Sequence, residues 1–307
     1  MNKKFDIIIA GAGPAGLSAA IYAARAEMNV AVLERSTPGG KVMKTAEVEN
    51  YPGFNTILGP ELGIKFFEQA MNLGANFIYA GLKSFKKEND TFIVTLENGE
   101  VIESKALIIA TGSKENLIGV PGEVELYGKG VSYCAACDAA FHKGKEVVVV
   151  GGGYSAIEEA IFLTRFVNKV YLVHRRQEFR ADKKSVDKAK ANPKIEFILD
   201  SVVTKINGTN KVETVDVKSL ITNDIKTIPV SAIFPFIGQT AESKFIEDEK
   251  LMNSDKNIIV NEKMETTVKG LWSAGDVRVT PFRQIATAVA DGALAGQEAV
   301  KYLELLD

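Results

Sequence analysis

The chain has 307 residues, 46% hydrophobic and 25% charged, with 37 basic against 39 acidic side chains and a formal net charge of −2. That length holds one large core or two smaller ones, and the balanced charge excludes the basic footprint of nucleic-acid and anionic-membrane binders. No run approaches the ~20 apolar residues of a membrane span, and the apolar run behind Lys3 and Lys4 is soon broken by Gly11, Gly13 and Gly16, so no secretory leader is expected.

In chain order, the apolar run 5–10 predicts a strand. Gly11-Ala12-Gly13-Pro14-Ala15-Gly16 follows as a Gly-rich turn, then a helix of small and apolar residues, then a second strand over 30–33 that ends at Glu34-Arg35. Asn98-Gly99, between the β-rich runs 91–96 and 101–102, predicts a type I′ hairpin. Gly119-Val120-Pro121-Gly122 reads as a junction. Next comes Cys134-Ala135-Ala136-Cys137-Asp138, which holds the only two cysteines in the sequence.

From residue 145 the opening pattern returns at a constant offset of 140. Gly11, Gly13 and Gly16 fall on Gly151, Gly153 and Ala156, Pro14 and Ala15 fall on Tyr154 and Ser155, and Glu34 falls on His174. A weaker hairpin signal, Asn223-Asp224, lies between the runs 212–220 and 225–230, and Pro and Gly cluster again over 235–238. A short strand over 270–274 then precedes Gly275-Asp276, and Arg283-Gln284-Ile285-Ala286 opens a helix. This order predicts an α/β fold of two Rossmann-like, three-layer nucleotide-binding domains, the second inserted into the first. The expected limits are 1–116 with 245–307 for one domain and 117–244 for the other.

The glycine spacing is a phosphate device. The first Gly permits the tight turn, the second lets the backbone approach a pyrophosphate, and the small third residue lets helix and strand pack closely. Free N–H groups at the helix N-terminus then meet the anion. One such motif is weak; two in register, each between a strand and a helix, are strong. The copies differ at the ribose position. Glu34 suits the 2′-OH of FAD or NAD, whereas His174-Arg175-Arg176, with Arg180 beyond, suits the 2′-phosphate of NADPH, the alternative being a solvated basic surface.

Two thiols at Cys134 and Cys137 can close or open a small disulfide ring with little backbone movement. In the reducing cytoplasm that this sparing cysteine use implies, such a pair is catalytic or metal-binding. A metal would need two more ligands, and His142 and His174 are the only imidazoles, so no metal is expected. Asp138 reads as a general acid–base beside the pair, as the N-cap of a following helix, or as both.

These motifs, with Pro38-Gly39-Gly40, Glu49-Asn50-Tyr51-Pro52-Gly53 and Ala110-Thr111-Gly112, closely resemble the low-molecular-weight thioredoxin reductases over nearly the whole chain. The resemblance implies an FAD- and NADPH-dependent flavoprotein that reduces the disulfide of thioredoxin and works as a homodimer. It places FAD on Gly11, Gly13, Pro14, Ala15, Gly16, Glu34, Arg35, Gly40, Lys41, Asn50, Ala110, Thr111, Gly112, Gly275, Asp276, Arg283, Gln284 and Ile285. It places NADPH on Gly151, Gly153, Tyr154, Ser155, Ala156, His174, Arg175, Arg176 and Arg180. It also makes Cys137 the thiol that meets the flavin and Cys134 the one that attacks the partner.

The chain departs from the family pattern at Lys41, where glutamine is common, at Ala139, where glycine is usual, and at Tyr154, where a small polar or acidic residue is typical. Because the cysteines sit in the inserted domain yet must meet flavin and partner in turn, a rotation about the two junctions is expected. Competing readings are a dithiol oxidase or a ferredoxin-driven reductase that uses no NADPH, and a flavin-bound redox sensor without turnover.

Overall fold

The computed structural model describes residues 3–45 and 47–306. The chain divides into two compact units: one runs up to Lys114 and resumes at Thr240, the other is Glu115–Gln239. The chain segments that join them, Ser113–Glu115 and Gln239–Ala241, pair as a two-stranded ladder.

In the first unit, parallel strands run in the order Asn76–Ile78, Val30–Leu33, Lys3–Ala10, Val101–Ile109. The far edge of Val101–Ile109 is shared by the short parallel strand Leu271–Ser273 and the antiparallel strand Thr91–Leu96, itself followed by Leu82–Glu88. The second half of the strand Lys3–Ala10, Ile7 to Ala10, is buried on both faces, which is why it reads as a continuous apolar run. Ile7 and Ile9 join the core beneath the helices, while Ile8 and Ala10 face Phe92, Val94 and Leu96 on the opposite side. That split follows from the two-residue period of a strand.

The helix Pro14–Arg25 starts with proline at its first turn, where a missing N–H costs nothing. It lies against the long helix Ile285–Glu304 with backbones in near contact. A Cβ at Gly292 would stand 2.0 Å from the Ala15 carbonyl oxygen, and one at Gly296 would stand 2.6 Å from that of Ala19. Those two glycines set the helix spacing and thereby carry the start of the long helix to the mouth of the first Gly-rich turn.

The second unit repeats the plan. Its parallel strands run Ile195–Ile198, Lys169–Val173, Glu146–Val150, Ala232–Pro235. Val147 and Val149 pack on the helix Tyr154–Leu163, and Val148 and Val150 pack on the antiparallel sheet Ser201–Asn207, Thr214–Ser219, Ile225–Pro229, giving three layers. The offset of 140 holds to the level of register: Ile7 pairs with Val30 as Val147 pairs with Val170, and Gly11 N–H meets Leu33 O as Gly151 N–H meets Val173 O.

One local expectation is corrected. The hairpin at Asn98-Gly99 forms, but not as a type I′ turn. Among the described residues only Gly99 (φ 87°) of that pair has positive φ. Gly99 N–H meets Leu96 O while Leu96 N–H meets Glu100 O, and Asn98 Oδ1 accepts the Glu100 N–H. This is a three-residue loop with a left-handed glycine, in which Asn98 keeps the φ that a type I′ turn would have inverted and its side chain accepts the Glu100 N–H.

Candidate functional site

Cys134 and Cys137 form a disulfide, with their Cα atoms 5.3 Å apart. Cys134 is extended (φ −139°, ψ 98°) and is the N-cap residue of the single helical turn Ala135–Asp138. The N–H groups of Cys137 and Asp138 both point at the Cys134 carbonyl, so the turn itself brings the second sulfur back over the first. The helix thus begins one residue after Cys134 and ends at Asp138, rather than starting after Asp138. The N-cap role of the Asp138 side chain is accordingly corrected: it makes no capping bond to the short 3₁₀ turn Ala139–His142 that follows. Burial pushes the Asp138 carboxyl up from the ordinary carboxylate range, with a hydrogen bond from Ser132 opposing the shift. An acid held protonated nearer neutrality, directly after the second cysteine, suits proton exchange with a thiol.

His142 serves structure. Its Nδ1 lies 3.1 Å from the Ser231 hydroxyl and its ring stands edge-on to Phe234. Burial, and secondarily Lys145, lower its pKa from 6.5 to about 4. The unfolded chain therefore binds the extra proton between those values, and stability falls as pH drops through that window. Thermal midpoints measured from pH 7 to pH 4 are expected to fall more steeply for the wild type than for His142→Phe; parallel curves would contradict this assignment.

In the first unit the Gly-rich turn packs its backbone tightly on one side and leaves it open on the other. Gly11 has φ 109°, and a Cβ there would lie 2.3 Å from the Ala110 carbonyl oxygen; one on Gly16 would lie 1.8 Å from that of Gly11. Gly13 and Gly112, by contrast, face open space. No side chain caps the helix Pro14–Arg25, so the N–H groups of Ala15 and Gly16 are left for an anion. Gly40 closes over Gly13, and Gly275 over Ala15.

The Glu34 carboxylate accepts the N–H groups of Ala12 (3.1 Å) and Ser36 (2.9 Å), which aims it across the turn. Arg35 is drawn away to Glu242 and Glu97, and the hydrogen bond it donates to Glu242 is the main reason its pKa rises. The side chain of Thr111 donates to the Glu242 carbonyl at 2.6 Å, tying that acid to the same rim.

Around this turn the predicted residues converge. Lys41 Nζ lies 2.9 Å from Ser113 Oγ and 3.5 Å from Asp276 Oδ2. Asn50 donates to the Gln284 side chain at 3.1 Å. Gln284 is the N-cap of the helix that begins at Ile285, in a reciprocal capping box with Thr287. The turn bearing Gly275 and Asp276 is held from behind by Asp291, which accepts the Gly275 N–H and two bonds from Arg278. Arg283 Nε is buried with no partner among the described residues. Open glycines, uncapped helix N–H groups and an orphaned buried guanidinium N–H fit a large ligand rich in anionic and acceptor oxygens, as FAD is.

The second cradle shares the backbone and differs in charge. Gly151 (φ 148°) approaches the Phe236 carbonyl as Gly11 approaches that of Ala110, and Gly153 faces open space. Tyr154, 59% exposed, opens the helix, and Ser155 and Ala156 follow in the first turn. The His174 ring lies against Gly152, stacks on Phe179 at 5.1 Å and meets the Glu178 carbonyl with Nε2. Arg175, Arg176 and Arg180 are exposed. Arg175 occupies the position of Arg35, yet among the described residues none of the three guanidiniums has a carboxylate partner. Where the first cradle gathers acids, the second presents free cations, and it fits an additional phosphate.

Sequence reasoning did not single out Ser132, Glu123, Glu242, Arg278 or Asp291. Only Asp291 left a signal, an acid within the small-residue face Ala288, Gly292, Ala295 of a helix. No group of His, Cys, Asp and Glu suited to a metal occurs among the described residues, and no helix there is long and apolar enough to cross a membrane.

Residues 5–292 match the family described as pyridine nucleotide-disulphide oxidoreductase. The chain is 46% identical to a thioredoxin reductase of Mycoplasma genitalium, over 95% of this chain and 93% of that one. It is 44% identical to a thioredoxin reductase of Bacillus subtilis, over 99% and 96%. The crystal structure of thioredoxin reductase from Streptococcus pyogenes superposes with a TM-score of 0.94 at 43% identity, covering 99% of this chain and all of that one. With its disulfide, its two dinucleotide cradles and these relatives, the chain belongs to the pyridine nucleotide-disulphide oxidoreductases and, within them, to the thioredoxin reductases.

Proposed function

We propose that the protein uses NADPH to reduce the disulfide of thioredoxin, with FAD held in the first unit and NADPH in the second. The observation that carries this reading is the Cys134–Cys137 disulfide, set in a unit whose own nucleotide cradle presents three unpaired arginines. Held in the first unit, FAD would supply the two-electron chemistry that links a nicotinamide hydride to that disulfide.

The chain's own residues do the rest. With both thiols reduced, Cys134 Sγ attacks a sulfur of the partner disulfide, and a mixed disulfide forms as the partner's other thiol leaves. Cys137 Sγ then attacks Cys134 Sγ, the 134–137 bond re-forms and the second partner thiol is released. Two electrons and two protons pass to the partner in all, and Asp138, the next residue in the chain and with its carboxyl raised by burial, carries a proton to and from the sulfur of Cys137. Gly11, Gly13 and Gly16 hold the FAD diphosphate, Glu34 the ribose, and Asn50, Asp276 and residues 283–285 the rest of the cofactor. Gly151, Gly153 and Ala156 hold the NADPH diphosphate, and Arg175, Arg176 and Arg180 its 2′-phosphate. The exposed Tyr154 leaves the Gly153 backbone open to the dinucleotide. Since the couple must serve flavin and partner in turn, the second unit turns about its two paired connecting segments. The protein is read as a cytoplasmic homodimer, in keeping with its family and its two cysteines.

The phosphate assignment is tested by initial rates with NADPH and NADH. Arg175→Ala is expected to raise KM for NADPH roughly tenfold or more, as loss of a charge-assisted bond implies, and to leave KM for NADH unchanged. An unchanged KM for NADPH would remove the 2′-phosphate from this site.

A further inference from the structure

The segment leading into the disulfide is fixed at successive residues. Ser132 N–H donates to the Ile233 carbonyl at 3.0 Å, and its hydroxyl accepts the Cys134 N–H at 3.1 Å. Between these two, Tyr133 is held by its side chain, whose hydroxyl donates to Glu123 Oε1 at 2.8 Å. Glu123 is only 1% exposed. Its carboxylate takes two further donors, the N–H of Ile118 at 2.9 Å on Oε1 and the N–H of Gly119 at 2.7 Å on Oε2. A carboxylate so deep persists only when its lone pairs are filled, and here two separate segments fill them. One is the start of the inserted unit; the other is the residue directly before the first cysteine.

Neither nucleotide binding nor thiol exchange as derived above uses this network. We propose that Glu123 and Tyr133 are positioning residues for the redox couple, a buried strut that fixes the backbone of Cys134 and so sets how readily the two thiols close. For a Cys-x-x-Cys pair, the equilibrium against an external disulfide measures the effective concentration of one thiol at the other. That concentration falls when either end gains freedom. Cys137 rides on a helical turn whose N–H groups are bound to the Cys134 carbonyl. The freedom of Cys134 is therefore set upstream, by Ser132, which bonds it directly, and by Tyr133, which ties the same segment to Glu123. The Tyr133 ring also packs 5.6 Å from that of Tyr127, tilted by 30°. Deleting the hydroxyl thus leaves the ring packed and isolates the bond to Glu123. The inference rests on Cys134 and Cys137 acting as a redox couple, and on neither the donor nor the partner.

The test is a glutathione titration of the FAD-loaded protein, with thiols trapped by alkylation and counted by mass. Two reduced glutathiones pass two electrons and two protons to the 134–137 bond, giving two cysteine thiols and one glutathione disulfide. Tyr133→Phe is expected to lower the disulfide-formation constant about three- to tenfold, a tenfold change being about 30 mV. Glu123→Gln is expected to lower it as well, and the double variant no further than the stronger single one. An unchanged constant in Tyr133→Phe, or single effects that sum in the double variant, would overturn the proposal. Should Glu123→Gln fail to fold, Tyr133→Phe alone decides it. The titration uses no nicotinamide and no thioredoxin, so a wrong donor or partner would leave its result readable.

Discussion

Cys137→Ser is expected to abolish thioredoxin-disulfide turnover by about a thousandfold or more, and Cys134→Ser to do the same. The two sulfurs act as one unit, and residues that act as a unit show non-additive losses, so the double variant should be no worse than either single one. The singles differ in what they trap. In Cys137→Ser the thiol of Cys134 can still attack a partner disulfide, but nothing is left to resolve the mixed disulfide, so a covalent adduct with thioredoxin should accumulate. In Cys134→Ser it should not. Both cradles lie outside the changed atoms, and flavin content should match that of the wild type. Equal adducts from both variants would reverse or erase the assigned roles of the two sulfurs. Turnover surviving either change would remove the disulfide from the reaction.

The second large effect is one of stability. Asp291 and Arg278 form a bidentate pair at 2.6 and 2.7 Å with side chains only 11% and 15% exposed, and the same carboxylate accepts the Gly275 N–H. Asp291→Ala leaves a guanidinium and a backbone N–H without their acceptor in a dry site, and breaking such a pair from one side costs about 3–5 kcal/mol. For a unit of this size the thermal midpoint should fall on the order of 10 °C. FAD should also dissociate more readily, because the turn that presents Asp276 loses its anchor. Replacing both partners with apolar residues, as in Asp291→Ala with Arg278→Met, should recover much of the loss. Calorimetry and flavin retention on a desalting column measure the two effects. A midpoint within 2 °C of wild type would show that the pair is not needed to hold this turn.

The two nucleotide units were legible because their signals are local and repeated. A buried parallel strand must be continuously apolar, and the turn after it must hold glycine where a Cβ would strike a carbonyl, as at Gly11 and Gly151. Both constraints act on adjacent residues, so the offset of 140 carried through to the strand register. Glu123 and Glu242 were not legible, and Asp291 only faintly so, for the opposite reason. Each is an acid whose partners follow no periodic spacing, and nothing near Glu123 in the sequence announces that Ile118, Gly119 and Tyr133 will converge on it. The helix beginning after Cys134 was missed because a four-residue turn has no periodicity to read. Asn98-Gly99 misled because its asparagine used its side chain to stabilise the neighbouring backbone in place of adopting a positive φ.

The claim on which the rest depends is that electrons from NADPH reach Cys134 and Cys137. It is tested most directly by adding NADPH anaerobically to the FAD-loaded protein while following flavin absorbance and trapping thiols by alkylation. The account predicts that the flavin bleaches and that both cysteines become alkylated, whereas in Cys137→Ser the flavin bleaches with no disulfide to open. Flavin that stays oxidised at saturating NADPH, or a 134–137 disulfide that stays closed while the flavin is reduced, would contradict it.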